Sequence, residues 1–223
     1  MGYRFKLPNQ IYRFGQVLLH QSQSLRKRDR TRADIQNAGC ELLDRTPLNS
    51  LTVSDICREA NIAHGTFYIY FPDRQELVAN LLILFVAFIQ DVMRSESGSQ
   101  TTDPVHAATS AYFKIFEQNP GLMKCLLNHQ EDFPAAKKAF QTLNHEWVTT
   151  VVQSTERILE HSGGAGDLTR DELFRRAYAL GGMVDQYLSA LVLNQDQTLL
   201  SVSEDQEAVI NTLTHIWKRG MIE

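Results

Sequence analysis

The fold is decided by residues 51–74, whose sequence is LTVSDICREANIAHGTFYIYFPDR. Thr52 and Ser54 are both suitable N-caps for a short helix with an apolar face. Asn61 tolerates the left-handed conformation and predicts a tight turn after that helix. A further helix should run from about Ala63 to Tyr70. Two short helices joined by a tight turn have the dimensions of a helix-turn-helix, whose second helix enters the major groove of DNA.

Helices are predicted on both sides of this motif. Upstream, residues 28–44 place apolar side chains at the i, i+3, i+7, i+8 spacing of one helical face. Downstream, Pro72 ends the motif and Asp73 caps a long helix that runs through Arg94. That helix contains the nine-residue apolar run 81–89, about half of what a membrane-spanning helix requires. The run therefore predicts a helix buried on most sides.

The remainder of the chain also predicts helices. Residues 95–102 are polar and are expected to form a loop, and Asp103-Pro104 is a helix start. Breaks at 119–121, 133–134, 163–166 and 194–203 divide the C-terminal part of the chain into about five more helices. No segment alternates like a strand. The sequence predicts an all-α protein.

Charge is distributed unevenly. Residues 1–74 hold 11 Lys/Arg against 7 Asp/Glu, and the rest holds 11 against 19. The basic end is expected to face phosphate. Residues 26–32 contain five cations; they either follow the DNA backbone as an arm or form a solvated charge run. Arg4, Lys6 and Arg13 either extend such a contact or pack on the body.

Cysteine usage and the N-terminus favour the cytoplasm. The three cysteines have no paired spacing, so a disulfide framework is not expected. Residues 1–24 lack the apolar region and cleavage site of an export signal. With 43% apolar and 22% charged residues, the composition is that of a globular protein. We expect a cytoplasmic protein without a membrane partner.

The motif closely resembles the DNA-binding domain of the tetracycline-repressor (TetR) family of bacterial regulators. The match covers roughly residues 29–89 and is specific over Thr52 to Arg74, where the family pattern includes Lys-Gly-Thr-hydrophobic-Tyr-x-Tyr-Phe. Asn61 stands where the family often has Gly, Ile69 where His is frequent, and His64 where Lys is usual. Because neutral His carries no charge, His64 predicts a weaker or pH-dependent phosphate contact.

The resemblance and the side-chain chemistry together assign the DNA contacts. Phe67 and Phe71 are four residues apart and should pack inward. Gly65 allows close approach of the backbone to DNA. Hydroxyl groups, backbone amides and cations are common donors to phosphate. The predicted DNA-binding residues are Arg28, Arg30, Thr52, Ser54, Ala63, His64, Gly65, Thr66, Tyr68, Tyr70 and Arg74.

The resemblance also implies a helical second domain that holds a small molecule and forms a homodimer through the last two long helices. Apolar stripes within 168–193 and 209–217 fit that interface, or they close the core of the chain itself. The expected dimer residues are Leu173, Ala177, Gly181, Val184, Leu188, Leu213 and Trp217. Aromatic and Met side chains adapt to varied ligands, and the candidate pocket residues are Phe113, Phe116, Met123, Cys125, Trp147, Met183 and Tyr187.

No catalytic or metal-binding constellation is found. Cys125 and His129 are four residues apart beside two acids, which imitates part of a metal site, but a buried cysteine beside a surface histidine is the simpler explanation. Residues 145–149 lack the second His of the zinc-protease motif, and the glycines at 163–166 lack the Lys-Ser/Thr of a phosphate loop. We therefore expect no enzyme activity, no cofactor and no metal.

The motif predicts a DNA-binding regulator, and the resemblance implies that it responds to a ligand and acts as a repressor, the commoner kind in the family. The expected domains are an N-terminal basic extension (1–27), a three-helix DNA-binding domain (28–89, motif about 52–71) and a helical effector-binding and dimerisation domain (90–223). The expected partners are an operator in double-stranded DNA and a small apolar or aromatic effector. Two alternatives stay open: a ligand-binding or enzymatic protein whose N-terminal helices only pack, and a regulator that senses a protein. Exposed Thr66 and Tyr68 would favour DNA binding.

Overall fold

The computed structural model describes residues 5, 11–98, 101–162 and 168–222, which form eleven α-helices and no strand. The prediction of an all-α protein is confirmed. The helices are α1 (Phe14–Ser22), α2 (Lys27–Arg45), α3 (Val53–Glu59), α4 (His64–Tyr70), α5 (Arg74–Gly98), α6 (Pro104–Gln118), α7 (Pro120–Asn128), α8 (Pro134–Ser162), α9 (Arg170–Leu188), α10 (Gln197–Ser201) and α11 (Gln206–Ile222). Short 3₁₀ segments at Leu48–Ser50 and Gln130–Asp132 and a π-helical segment at Ser189–Leu193 complete them.

The helix starts follow the capping residues that the sequence offers. Asp73 Oδ1 accepts from Glu76 N at 2.9 Å, and Asp103 Oδ1 accepts from His106 N at 3.1 Å. The predicted loop over 95–102 is wrong at its beginning, because α5 continues to Gly98. Adding a residue to an existing helix needs only one more hydrogen bond, so a weakly unfavourable polar segment does not end it. The glycines at 163–166 lie outside the described residues.

The chain divides into two compact units: Met1–Ser95 with Lys114–Phe140, and Glu96–Phe113 with Gln141–Glu223. The first unit contains the predicted helix-turn-helix and the N-terminal extension. The second contains α9, α10 and α11 and parts of α6 and α8. The functional domain ranges 28–89 and 90–223 remain a prediction.

Helix α1 is part of the core of the first unit. Phe14 is fully buried, and its ring centroid lies 5.5 Å from that of Phe85 and 5.4 Å from that of Phe88. Asn119 Oδ1 accepts from Phe14 N at 2.8 Å, and Asn119 Nδ2 donates to Tyr12 O at 2.7 Å. Two roles were left open for the N-terminal extension. Residues 11–22 have the second of them, because they pack against the rest of the first unit.

Of the basic residues of the extension, Arg13 is bound to acidic side chains of α2. The Arg13 guanidinium donates to Glu41 Oε2 at 2.7 Å and to Asp44 Oδ2 at 3.1 Å. Its charge is thus neutralised by α2. Arg4 and Lys6 lie outside the described residues.

Helix α7 begins against the end of α2. Gly121 N donates to Asp44 Oδ1 at 3.0 Å, and a Cβ on Gly121 would lie 2.3 Å from the carbonyl carbon of Leu43. No side chain fits there without moving one of the two backbones. Burial raises the pKa of Asp44, and the Gly121 N–H and the Arg13 charge oppose that rise. The contact is therefore both close and polar.

Helix α5 is the one described helix that is long and apolar enough to cross a membrane by length and composition, with a mean hydropathy of 1.9 over 18 residues. More than half of that window, 56%, is buried inside the protein. Leu77, Leu81, Phe85 and Phe88 are fully enclosed. The helix thus has the burial of a core helix, as the apolar run at 81–89 predicted.

Helices α8, α9 and α11 enclose the core of the second unit. Its buried members are Val148, Val152, Leu159, Leu173, Ala177, Leu180 and Met221. On α9 these positions fall on one face, at the spacing that the sequence showed. The apolar stripe of α9 is therefore largely used within the chain.

Candidate nucleic-acid interface and effector body

The turn between α3 and α4 has the geometry predicted from Asn61. This residue has φ 52°, the left-handed conformation. Ile62 N donates to Cys57 O at 2.9 Å and Ala60 N to Ile56 O at 2.9 Å. A left-handed residue with a hydrogen bond spanning it is a Schellman-type helix end. It ends α3 and directs the chain into α4, which completes a helix-turn-helix.

Helix α4 has one buried and one exposed face. Phe67 is fully buried and Phe71, at the helix end, is 2% exposed, so the predicted inward packing of this pair is confirmed. Tyr68 is 54% and Ile69 67% exposed. A Cβ added to Gly65 would meet no atom within 4 Å. The outer face is thus accessible along its whole length.

The predicted DNA contacts are mostly at the surface. Thr66, Tyr70 and Arg74 are half-buried. The other members of the set, namely Arg28, Arg30, Thr52, Ser54, Ala63, His64, Gly65 and Tyr68, are exposed. Exposed Tyr68 is the observation that favours DNA binding over a purely packing role for these helices.

Three of these residues, Thr52, Ser54 and His64, have local hydrogen-bond partners. Thr52 Oγ1 accepts from Asp55 N at 3.1 Å and donates to Asp55 Oδ2 at 2.5 Å. The hydrogen bond from Thr52 holds the pKa of the Asp55 carboxyl below its usual value. Ser54 Oγ lies 3.0 Å from His64 Nε2. Thr52 therefore caps α3, and the Ser54–His64 contact joins α3 to α4.

Arg74 has a role that the sequence did not indicate. Its Nη1 donates to Leu48 O at 3.1 Å and to Asn49 O at 3.3 Å, and also to Leu51 O. These carbonyls belong to the segment that joins α2 to α3. The guanidinium thus fixes that segment from the start of α5, in addition to any phosphate contact that the resemblance assigns to it.

The basic run at the start of α2 is partly used within the protein. Arg32 lies over the ring of Phe71, 4.9 Å from its centroid, which is a cation–π contact. Arg28 and Arg30 are exposed and form no salt bridge within the described ranges. Both remain candidates for phosphate contact.

The candidate pocket residues are divided between the two units. Phe116, Met123 and Cys125 are buried in the first unit. In the second unit Phe113 is buried, while Trp147, Met183 and Tyr187 are half-buried, and Tyr187 Oη lies 3.2 Å from Ser203 Oγ. Burial raises the pKa of the Cys125 thiol to about 12. This cysteine is thus an unreactive core residue.

Metal binding has no geometric support in the described ranges. No group of three His, Cys, Asp or Glu residues there is arranged to hold an ion. His129 Nδ1 lies 3.2 Å from Asp132 Oδ2, while Cys125 is buried.

A half-buried acid in the second unit, Asp185, was missed by the sequence analysis. The Tyr112 hydroxyl donates to Asp185 Oδ1 at 2.7 Å and joins α6 to α9. Burial raises the pKa of Asp185 to about 6, although the Tyr112 hydrogen bond acts in the opposite direction. The sequence did offer one signal for it: an acidic residue, Asp185, follows Val184 directly in the apolar stripe of α9.

We expect Asp185→Asn to raise stability at pH 7.5 and to have little effect near pH 4. The folded-state pKa of about 6 exceeds the ordinary value of 3.8. The folded state therefore holds the proton more tightly, and its stability falls as pH rises through 6. About two pKa units correspond to at most about 3 kcal/mol. The amide oxygen of the variant would remain an acceptor for the Tyr112 hydroxyl without carrying the charge. Urea unfolding of both proteins between pH 4 and 8 measures the difference, and a constant difference across this range would contradict it.

The predicted dimer residues are mainly inside the chain. Leu173, Ala177, Val184, Leu188 and Leu213 are all buried within the second unit, and Gly181 and Trp217 are half-buried. The exposed side of α9 carries a different set, namely Arg175, Tyr178, Ala179, Gly182 and Gln186. The exposed side of α11 carries Thr212, His215, Ile216 and Arg219. A partner helix can reach these outer faces without opening the core.

The described helices and the exposed α4 face define a helical protein with an N-terminal helix-turn-helix. The model of bacterial regulatory proteins of the tetR family matches residues 35–81. A relative from Mycolicibacterium smegmatis, the HTH-type transcriptional regulator EthR, is 23% identical over 186 residues, which are 79% of each chain. The EthR protein of Mycobacterium tuberculosis is 22% identical over 182 residues, 79% of this chain and 80% of the relative.

Solved structures share the fold. The fatty acid degradation regulator FadR from Bacillus halodurans superposes with a TM-score of 0.64 at 15% identity, over 84% of this chain and 94% of that one. FadR from Bacillus subtilis, solved in complex with stearoyl-CoA, has a TM-score of 0.62 at 15% identity, over 84% and 97%. Residues 35–81 thus carry the DNA-binding domain of the tetR family of transcriptional regulators, as the motif predicted. The tetR family is not enzymatic, in agreement with the prediction that this protein has no enzyme activity.

Proposed function

We propose that this regulator is a cytoplasmic repressor that binds its operator as a homodimer and is released by a small apolar or aromatic effector. The observation that carries the proposal is the asymmetry of α4, with Phe67 fully buried and Tyr68 54% exposed. A core helix does not need a large aromatic side chain in solvent. An exposed tyrosine on the second helix of a helix-turn-helix lies where base edges and phosphates are contacted.

The proposed DNA contacts use the exposed residues Tyr68, Arg28 and Arg30 together with half-buried Thr66. Tyr68 and Thr66 on α4 contact bases or phosphates, and Arg28 and Arg30 contact the backbone. Thr52 and Arg74 act mainly by fixing the positions of α3 and of the segment before it, since their polar atoms already bond within the chain.

The proposed dimer is formed by the outer faces of α9 and α11. Gly182 and Ala179 lie on the exposed face of α9, and a Cβ on Gly182 would meet no atom within 4 Å. Small residues allow two helices to approach closely. Ile216, 41% exposed, supplies apolar area on the outer face of α11. Two copies related by a two-fold axis would present two α4 helices to successive major grooves.

Effector binding is proposed for the helical body. A protein of the same fold, FadR from Bacillus subtilis, binds stearoyl-CoA, which is consistent with an apolar effector class here. If the effector lowers operator affinity by a given factor, the operator lowers effector affinity by the same factor. A regulator that senses a protein instead would show no small molecule with this reciprocal effect.

Tyr68→Ala is expected to weaken operator binding about 10- to 100-fold, because each dimer loses two contacts. Fluorescence anisotropy against DNA from upstream of the protein's own gene measures this. Wild-type affinity should fall with salt at roughly 0.9 log units per phosphate contact per log unit of salt. Tyr68→Phe keeps the ring and separates the hydroxyl contribution from that of the ring.

Val202→Ala is the matched control, since Val202 is 78% exposed and lies in the second unit. It should bind DNA like the wild type. Equal binding by wild type and Tyr68→Ala on every duplex tried would favour the alternative in which the N-terminal helices only pack. Circular dichroism of each variant checks that its helices are intact.

A further inference from the structure

Helix α4 lacks the side chains that form bidentate hydrogen bonds with bases. Its sequence is His64-Gly65-Thr66-Phe67-Tyr68-Ile69-Tyr70. It contains no Arg, Lys, Asn, Gln, Asp or Glu. These are the side chains that form bidentate hydrogen bonds with guanine or adenine, or accept from cytosine. Base discrimination by α4 must therefore use other chemistry.

The outer face of α4 is centred on an apolar side chain. Ile69 follows Phe67 by two residues, which at 3.6 residues per turn places it on the opposite side of the helix. Phe67 is fully buried, and Ile69 is 67% exposed. Gly65 lies one turn before Ile69 on this face, and the space where its Cβ would stand is open. A methyl-bearing surface thus faces outward with a clear approach beside it.

Folding does not account for Ile69. An exposed side chain contributes little buried apolar area, and a β-branched residue is a slightly poorer helix former than an unbranched one. Exposed Tyr68 carries a hydroxyl for a polar partner, whereas Ile69 offers only apolar contact. The partner of Ile69 is therefore expected to be an apolar group.

The major groove presents one apolar group, the C5-methyl of thymine. We propose that Ile69 contacts this methyl and is a specificity-determining residue, so that each half of the operator carries a thymine at one fixed position. The inference rests on the proposed contact of α4 with DNA. It adds the chemical group that α4 recognises there.

The test begins with selection of duplexes that bind the wild-type protein from a random pool. The selected consensus should contain a thymine at the same place in both halves. Each thymine in turn is then replaced by deoxyuridine, which differs only by the lost methyl. At the contacted position we expect about a fourfold loss of wild-type affinity per half-site, and about fifteenfold when both halves are replaced.

Ile69→Ala provides the second arm. This variant should bind the thymine duplex more weakly than the wild type, and should lose almost nothing further on the deoxyuridine duplex, because the contact is already absent. Ile158→Ala is the matched control: Ile158 is also exposed, 56%, but lies on α8 in the second unit. It should retain the full response to deoxyuridine.

The outcomes separate this inference from the function on which it rests. If no consensus is selected, DNA recognition by α4 fails together with the inference. If a consensus is selected and Tyr68→Ala weakens binding to it, but wild type and Ile69→Ala respond equally to deoxyuridine at every thymine, the methyl contact is overturned and the DNA-binding function stands. Ile69 would then have a partner other than DNA.

Discussion

Phe14→Ala is expected to lower the free energy of unfolding by about 3–5 kcal/mol, the usual cost of removing a fully buried aromatic side chain. The Phe14 ring is inaccessible to solvent and packs against those of both Phe85 and Phe88 on α5. Its backbone N–H is held by Asn119 at 2.8 Å. Since the neighbours are anchored on other helices, they cannot close the cavity that the substitution leaves.

Urea unfolding of the full chain, followed by circular dichroism, measures this change. Leu25→Ala is the control, because Leu25 follows α1 but is 50% exposed. It should alter the free energy of unfolding by less than about 0.5 kcal/mol. A Phe14→Ala protein whose stability matched that of the wild type would mean that α1 is not part of the core.

The position of α1 could not be predicted from the sequence, because it depends on contacts between residues far apart in the chain. Helix α1 was not predicted, and residues 1–27 were described as a basic extension. Its buried residues, Phe14, Val17 and Leu18, form a patch too short to establish a helical period. The residues that contact Phe14 lie 71 to 105 positions later in the chain: its ring packs on Phe85 and Phe88, and its N–H donates to Asn119. Contacts at such separations leave no local pattern.

Local chemistry, by contrast, was sufficient for the helix-turn-helix. The cap at Thr52, the left-handed Asn61 and the break at Pro72 act on residues within one or two turns, and the boundaries of α3 and α4 follow from them. The inward pairing of Phe67 and Phe71 was likewise predictable from their spacing. The contacts that escaped prediction were tertiary: the carbonyls bound by Arg74 lie 23 to 26 positions earlier in the chain.

The second unit shows a different limit. An apolar stripe at helical spacing indicates that a face is buried but does not say against what. Leu173, Ala177 and Leu188 were expected at a dimer interface, yet they are fully enclosed within one chain. The free face of α9, about Gly182, is the opposite one and has few large apolar residues. That face has no periodic apolar pattern in the sequence. We therefore proposed the interface from the solvent exposure of its residues alone.

Gly182→Arg is therefore expected to convert the dimer to a monomer and to reduce operator affinity by at least about 100-fold, since two linked half-site contacts become single ones. The single chain can accept the substitution, because a Cβ at Gly182 meets no atom within 4 Å. Across a two-fold axis, however, the two arginines would lie close to one another. Their volume and like charge oppose a close helix contact.

Light scattering coupled to size-exclusion chromatography measures the mass, and anisotropy measures the affinity for the same DNA as for Tyr68→Ala. Gly98→Arg is the matched control: Gly98 is also a helical glycine in open space, and a cation near the end of α5 is favourable. This variant should remain dimeric with wild-type affinity. If Gly182→Arg also remained dimeric with full affinity, the partner would not bind on this face of α9. A monomeric wild type would remove the dimer from the proposed function altogether, because two α4 helices would then have no common frame to hold them one helical turn apart on DNA.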